Sequence, residues 1–375
     1  MKQEKITDAL ALADEKFIAQ ADEFRQGIKS GKRKYAALIA AACVCIVAVA
    51  SAVGIRYGTG NIGTENLPKI SIDGLLDGGM GYEGWMLKDL SEWYSQKEIN
   101  RFKTLPVFSD DEYYVETGNA KGLSEEELNR VINDAVHRLE IPEAECERKY
   151  EYASEIYGEV EEDYVYAIEA IVSGGRIRAF AKGGFNVIFN DGYTVPAGWS
   201  DQQIAEYFTE RFKCLLGEGE IVTDIRTDYD IYGVRKVSYS FYEGSENELE
   251  EMINREFNSV YLNISEGRLM SIRVENSLAL AEKIADYPVI SLGEARKKLV
   301  SGEYITSSPY DFGGEECIES VELVYRRSGE IYAPYYLFYV EEINAPKKDY
   351  GLKGYSSYYV PAVEAEFVEY SGYGG

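Results

Sequence analysis

The chain has 375 residues, 65 of them Asp or Glu against 39 Lys or Arg, for a formal net charge of −26. A surface that acidic excludes binding to nucleic acid through its phosphates, which needs clustered cations. One histidine and 5 cysteines leave no material for a zinc framework or an extensive disulfide scaffold.

Residues 1–34 read as a charged amphipathic helix. Ile6, Leu10, Ala13, Phe17, Ala21, Phe24 and Ile28 recur at steps of three and four, with Ile18 beside them, giving one apolar stripe. A peptide of this size has no core of its own. The stripe must therefore be buried by a partner protein, a second copy or the membrane surface. A neighbouring basic cluster favours the lipid surface, and Asp14, Glu15, Asp22 and Glu23 disfavour it.

Residues 35–55 carry no charge. As a helix they would be about 31 Å long, enough to cross a hydrocarbon core of about 30 Å. The run is expected to be a transmembrane helix. Lys29, Lys32, Arg33 and Lys34 crowd its N-terminal side and only Arg56 follows closely, which puts the N-terminus in the cytoplasm and residues 56–375 outside. A cleavable signal ending near Ala50-Ser51-Ala52 is disfavoured by the long leader and the long apolar run. Cys43 as a lipidated residue is weaker still, because apolar residues continue past it.

The part beyond the span carries 31 basic and 59 acidic residues. Its odd set of Cys146, Cys214 and Cys317 cannot all pair internally. Residues 56–105 are rich in glycine without a sustained period and read as a stalk, with one short helix over 85–102. Three helices then announce themselves by capping boxes: Ser124 with Glu127, Ser200 with Gln203, and Ser291 with Glu294. The first aligns Leu128, Val131, Ile132, Ala135 and Leu139; the second Ile204, Phe208, Phe212 and Leu215; the third Leu292, Ala295 and Leu299.

Period-two alternation follows each helix. Val260, Leu262 and Ile264 alternate up to "SEGR", and Met270, Ile272 and Val274 resume, which reads as a hairpin. Val321, Leu323 and Tyr325 pair likewise with "PYYLFYV". Further strands are expected over 164–172, 177–181, 187–189, 234–241 and 358–367. The expected fold class is α+β: an N-terminal amphipathic helix and one transmembrane helix, then three helix-plus-antiparallel-sheet units over 106–195, 196–286 and 287–375. The 32 tyrosines suit this, chiefly as sheet-packing residues.

Catalytic chemistry is hard to place. His137 falls off the apolar face of its helix and reads as exposed, and the glycine pairs of "VSGGRIRAFAKGGFNV" read as hairpin turns rather than a phosphate loop. No carboxylate pair stands out from the acidic background. The chain is read as a non-enzyme with no catalytic, metal or cofactor-binding residue and no cofactor.

"ITDALALADEKFIAQADEFR", followed by a basic cluster and an Ala-rich apolar run, resembles the N-terminus of single-pass, anti-sigma-factor-like proteins of clostridial Gram-positive bacteria. "YPVISLGEARKKLVSGEYIT", "VELVYRR" and "YYVPAV" resemble YycH/YycI-type or PepSY-like extracytoplasmic regulatory domains. The resemblance implies a signalling regulator whose exterior senses an unidentified ligand and whose inner segment holds an extracytoplasmic-function sigma factor or influences a membrane kinase. Zinc-type anti-sigma domains carry a His and paired Cys, and residues 1–34 have neither. A minimal helical peptide would then do the binding, with Ile6, Leu10, Phe17, Ile18 and Phe24 as anchors. The alternative is a cell-surface binding or scaffold protein whose N-terminus is only a membrane anchor.

Overall fold

The computed structural model describes residues 67–73, 86–88, 102–109, 115, 122–141, 146–160, 162–217, 219–230, 232–345 and 351–371. All of them belong to one compact unit, Gly60–Gly375. In chain order the strands are β1 (Ile70–Asp73), β2 (Met86–Lys88), β3 (Thr104–Ser109), β4 (Glu147–Tyr152), β5 (Val165–Val172), β6 (Gly175–Phe180), β7 (Phe185–Thr194), β8 (Ile221–Tyr229) and β9 (Arg235–Glu243). They continue as β10 (Val260–Ser265), β11 (Arg268–Val274), β12 (Lys283–Pro288), β13 (Ile305–Thr306), β14 (Ile318–Ser328), β15 (Ile331–Glu341), β16 (Lys353–Pro361) and β17 (Val368–Ser371). The α-helices are α1 (Glu125–Arg138), α2 (Ala153–Tyr157), α3 (Asp201–Phe212), α4 (Glu248–Phe257) and α5 (Leu292–Ser301).

The expected fold class is overturned. The described chain is mostly antiparallel β-sheet, and fifteen of its strands share one sheet in the order β12-β3-β15-β16-β2-β8-β9-β10-β11-β7-β6-β5-β4, with β13 on β16 and β14 on β15. Separate three- or four-stranded sheets would each leave two edges of unpaired N–H and C=O groups. Here those edges are joined: β7 pairs with β11, β3 with both β12 and β15, and β2 with both β16 and β8. No helix among the described residues is long and apolar enough to cross a membrane. Residues 1–34 and 35–55, for which the amphipathic and transmembrane helices are expected, lie outside the described residues.

Locally the sequence signals hold. All three capping boxes form, at Ser124 and Glu127, Ser200 and Gln203, and Ser291 and Glu294. Leu128, Ile132 and Ala135 of α1, and Ile204, Phe208 and Phe212 of α3, are buried against one face of β5–β11. Arg148 of edge strand β4 fastens α1 through Asn129 and Asn133. The β10–β11 hairpin turns at Glu266 and Gly267, both at positive φ, as a two-residue hairpin requires. The β14–β15 hairpin pairs Val321 with Phe338 and Leu323 with Tyr336.

At α1 the Glu127 N–H donates to Ser124 Oγ at 3.3 Å, and the Ser124 N–H donates to Glu127 Oε2 at 2.8 Å. The Ser124 hydroxyl, and then its N–H, hold the Glu127 carboxyl below its ordinary value. Ser124→Ala should therefore cost about 1 kcal/mol near neutral pH, read from urea unfolding. A depressed carboxyl gives stability that is present above its unfolded-state value and is lost as pH falls through its lowered folded value. The gap between wild type and Ser124→Ala should accordingly narrow on acidification, and a gap that widens would overturn the assignment.

A second apolar cluster is built on β3, β12, β15 and β16, where Val107, Tyr287, Tyr335, Leu337 and Tyr359 are buried together. The pairing of these four strands closes on itself through an isolated bridge, Val289 to Val363. The Ile290 N–H donates to Ala362 O at 2.8 Å, and the Glu364 N–H donates to Pro288 O at 3.0 Å. Tyrosines pack inward here rather than facing water. The Tyr287 hydroxyl of this cluster donates to Pro68 O at 2.9 Å, and the neighbouring buried Tyr336 and Tyr325 donate to Ile290 O at 2.7 Å and Pro106 O at 2.9 Å, so these phenols are buried with a partner.

Residues 56–105 contribute β1 and β2 to the fold. Met86–Lys88, inside the stretch expected to form a short helix, is a strand. The remainder of that expected helix lies outside the described residues, save its last residue, Phe102, which stands just before β3.

Candidate functional site

The expected partner-binding residues Ile6, Leu10, Phe17, Ile18 and Phe24, and the topology residues Lys29, Lys32, Arg33 and Lys34, lie outside the described residues. His137 is exposed on α1. Cys146, Cys214 and Cys317 form no disulfide. Among the described residues no group of three or more His, Cys, Asp or Glu is placed to hold a metal ion.

The most concentrated chemistry in the described chain is a charged junction between the two apolar clusters. Strand β8 carries Asp224, Arg226 and Asp228 on one face, two residues apart as a strand dictates. Lys88 of β2 donates from Nζ to Asp228 Oδ1 at 2.7 Å, and its side chain is only 3% exposed. Arg226 Nε donates to Asp224 Oδ2 at 2.9 Å. An Arg226 terminal nitrogen lies 3.6 Å from Glu322 Oε2 on β14, an ion pair beyond hydrogen-bond length. Glu322 is itself 3% exposed.

Helix α4 closes the junction from the other side. Its Arg255 donates to Glu256 Oε1 through Nε at 3.1 Å and a terminal nitrogen at 2.9 Å. The other Glu256 oxygen accepts the Tyr325 N–H of β14 at 3.3 Å. Below these groups Phe257, the last residue of α4, sits among Phe108, Tyr325 and Tyr332 at centroid distances of 5.8, 5.1 and 5.2 Å. The Lys88 ammonium also lies 5.3 Å from the centre of the Tyr339 ring.

Burial and pairing compete at each group. Burial lowers the Lys88 ammonium despite the neighbouring Asp228 carboxylate. Burial raises the Glu322 carboxyl, against the pull of Arg226 and Arg255. Burial also works against the Arg226 charge, but Glu322 and Asp224 outweigh it and hold the guanidinium above its ordinary value. Tyr261, on the same sheet face, is pushed up to about 12, mainly by burial and then by Glu275. Each ion pair joins opposite charges, three cations against four carboxylates, in one network. Its chemistry is that of a clasp.

An open groove runs between α3 and β8, lined by Glu206, Glu210, Lys213, Cys214, Glu220 and Thr223. Burial pushes the Cys214 thiol up, away from the thiolate form a nucleophile needs. Lys213 Nζ donates to Glu210 Oε2 at 2.7 Å.

Sequence reasoning missed the junction because "TDIRTDYD" alternates charge with period two, the pattern of a solvated strand face. It also missed α4, which is capped by Asn247 rather than by a Ser and Glu pair. The signal was present in the acidic first turn and in Met252, Ile253 and Phe257 on one face.

No protein-family model matches the chain, and no curated protein sequence matches it either.

Proposed function

We propose that this chain is a membrane-anchored signalling regulator of the anti-sigma-factor-like kind. Residues 35–55 are its anchor, residues 1–34 its cytoplasmic partner-binding segment, and residues 56–375 an extracytoplasmic sensing or binding region. The carrying observation is the direct succession of an amphipathic stripe, four basic residues and an uncharged apolar run of membrane-spanning length.

A stripe with no core of its own gains its stability by docking, and Phe17 and Phe24 are its largest apolar side chains. Phe17→Asp/Phe24→Asp in the full chain should reduce capture of an extracytoplasmic-function sigma factor or a membrane kinase from host cytosol by at least about tenfold. Binding of the partner equal to wild type would overturn the reading. Loss of vesicle binding by the isolated segment, with no partner captured by either form, would assign the stripe to the lipid surface instead.

A further inference from the structure

The large sheet narrows to one short strand. β8 and β9 pair from Ile221 with Glu243 through Tyr229 with Arg235, and β15 and β16 pair from Tyr335 with Pro361 through Glu341 with Tyr355. Between these two well-paired regions stands β2, whose described residues Met86–Lys88 meet the described residues of β8 at the single register position Leu87 to Tyr229. Among the described residues, no other strand pairing joins the two sides. The apolar interiors on either side are separate clusters, one around Leu128, Ile168 and Phe241, the other around Val107, Tyr335 and Tyr359.

Among the described residues the boundary is also crossed by the ion network, by the aromatic insertion of Phe257, and by the connection through residues 275–282, where Leu280 packs on the first cluster and the Glu282 N–H donates to Ser109 Oγ of β3 at 2.8 Å. We propose that the boundary at β2 is a hinge between two lobes, and that Lys88, Asp228, Arg226 and Glu322 form the latch that holds it shut. A sheet resists opening in proportion to the ladder that must be broken, and a single register position gives little resistance. An ionic seam differs from an apolar one in what happens when it opens. Water that enters rehydrates the charges and returns much of the desolvation cost incurred on closure, whereas an opened apolar seam returns nothing. Paired buried charges also admit one closed register, because any slip leaves a charge unpaired. The combination allows reversible opening to a defined closed state. It stands independently of the membrane-regulator reading, since it rests on the described residues alone.

Hydrogen exchange on the purified full chain tests it, comparing wild type with Arg226→Met and with Glu322→Gln, the second nearly isosteric and chosen so that a folded variant is in hand. Amide exchange in Met86–Lys88 and in residues 255–259 should accelerate by about tenfold or more, while β5, β6 and the centre of β15 keep wild-type rates. Acceleration spread evenly over both lobes would show one cooperative body with no hinge. Unchanged exchange at β2 in Glu322→Gln would show that the ion network is not the latch. Either result overturns the proposal.

Discussion

Phe257→Ala is expected to lower the free energy of unfolding by about 3–5 kcal/mol, the range for truncating a buried phenylalanine. The ring is 2% exposed and ends α4 between Phe108, Tyr325 and Tyr332, three side chains from strands on the far side of the charged junction. Edge-to-face geometry with Tyr332, at an interplanar angle of 78°, adds to the area term. Collapse around the vacancy is limited because Phe108 and Tyr325 are held in paired strands. The test is urea unfolding followed by far-UV circular dichroism. Phe257→Leu should recover more than half of the loss, and a cost for alanine below about 1 kcal/mol would contradict the packing.

Lys88→Met should cost about 3 kcal/mol, the lower end of the range for removing one member of a buried ion pair. Methionine fills similar space, but Asp228 loses its ammonium partner. The Asp228 side chain is 23% exposed, so water partly compensates and the upper end is not reached. The pH dependence has a definite sign. The folded Lys88 value lies below its ordinary 10.5, chiefly through burial. Its contribution is therefore fully present above 10.5 and is lost as pH falls through the folded value. The gap between wild type and Lys88→Met should widen as pH rises through the folded value toward 10.5. Glu322 runs the other way. Its raised carboxyl contributes stability that is present below the ordinary 4.5 and is lost as pH rises through the folded value. A Lys88→Met gap that is flat with pH would mean the ammonium is solvated.

Both results bear on how the two halves of the sheet are held. Phe257 supplies an apolar contact that favours closure, whereas the ions around Arg226 select which closure is allowed. Loss of the ring should weaken the junction at every pH, and loss of a charge should weaken it in a pH-dependent way. The two variants together separate adhesion from register.

The elements legible from residues close together in the chain are the local ones. Ser124, Ser200 and Ser291 start helices because a hydroxyl and a carboxyl or amide three residues later satisfy N–H groups that no other part of the chain needs to reach. The β10–β11 hairpin follows from alternation and from Glu266-Gly267, for the same reason of short range. The tertiary structure alone decided the pairing of strands distant in sequence. β2 bridges Tyr229 and Tyr355 because open sheet edges have unpaired groups to satisfy, and nothing in a strand's own residues names the edge it will join. The same holds for the junction. Asp224, Arg226 and Asp228 have the alternation of a solvated strand, and they are partly covered only because β14 and α4 arrive with Glu322 and Glu256. Burial of a charge depends on what covers it, and that is a property of the whole fold.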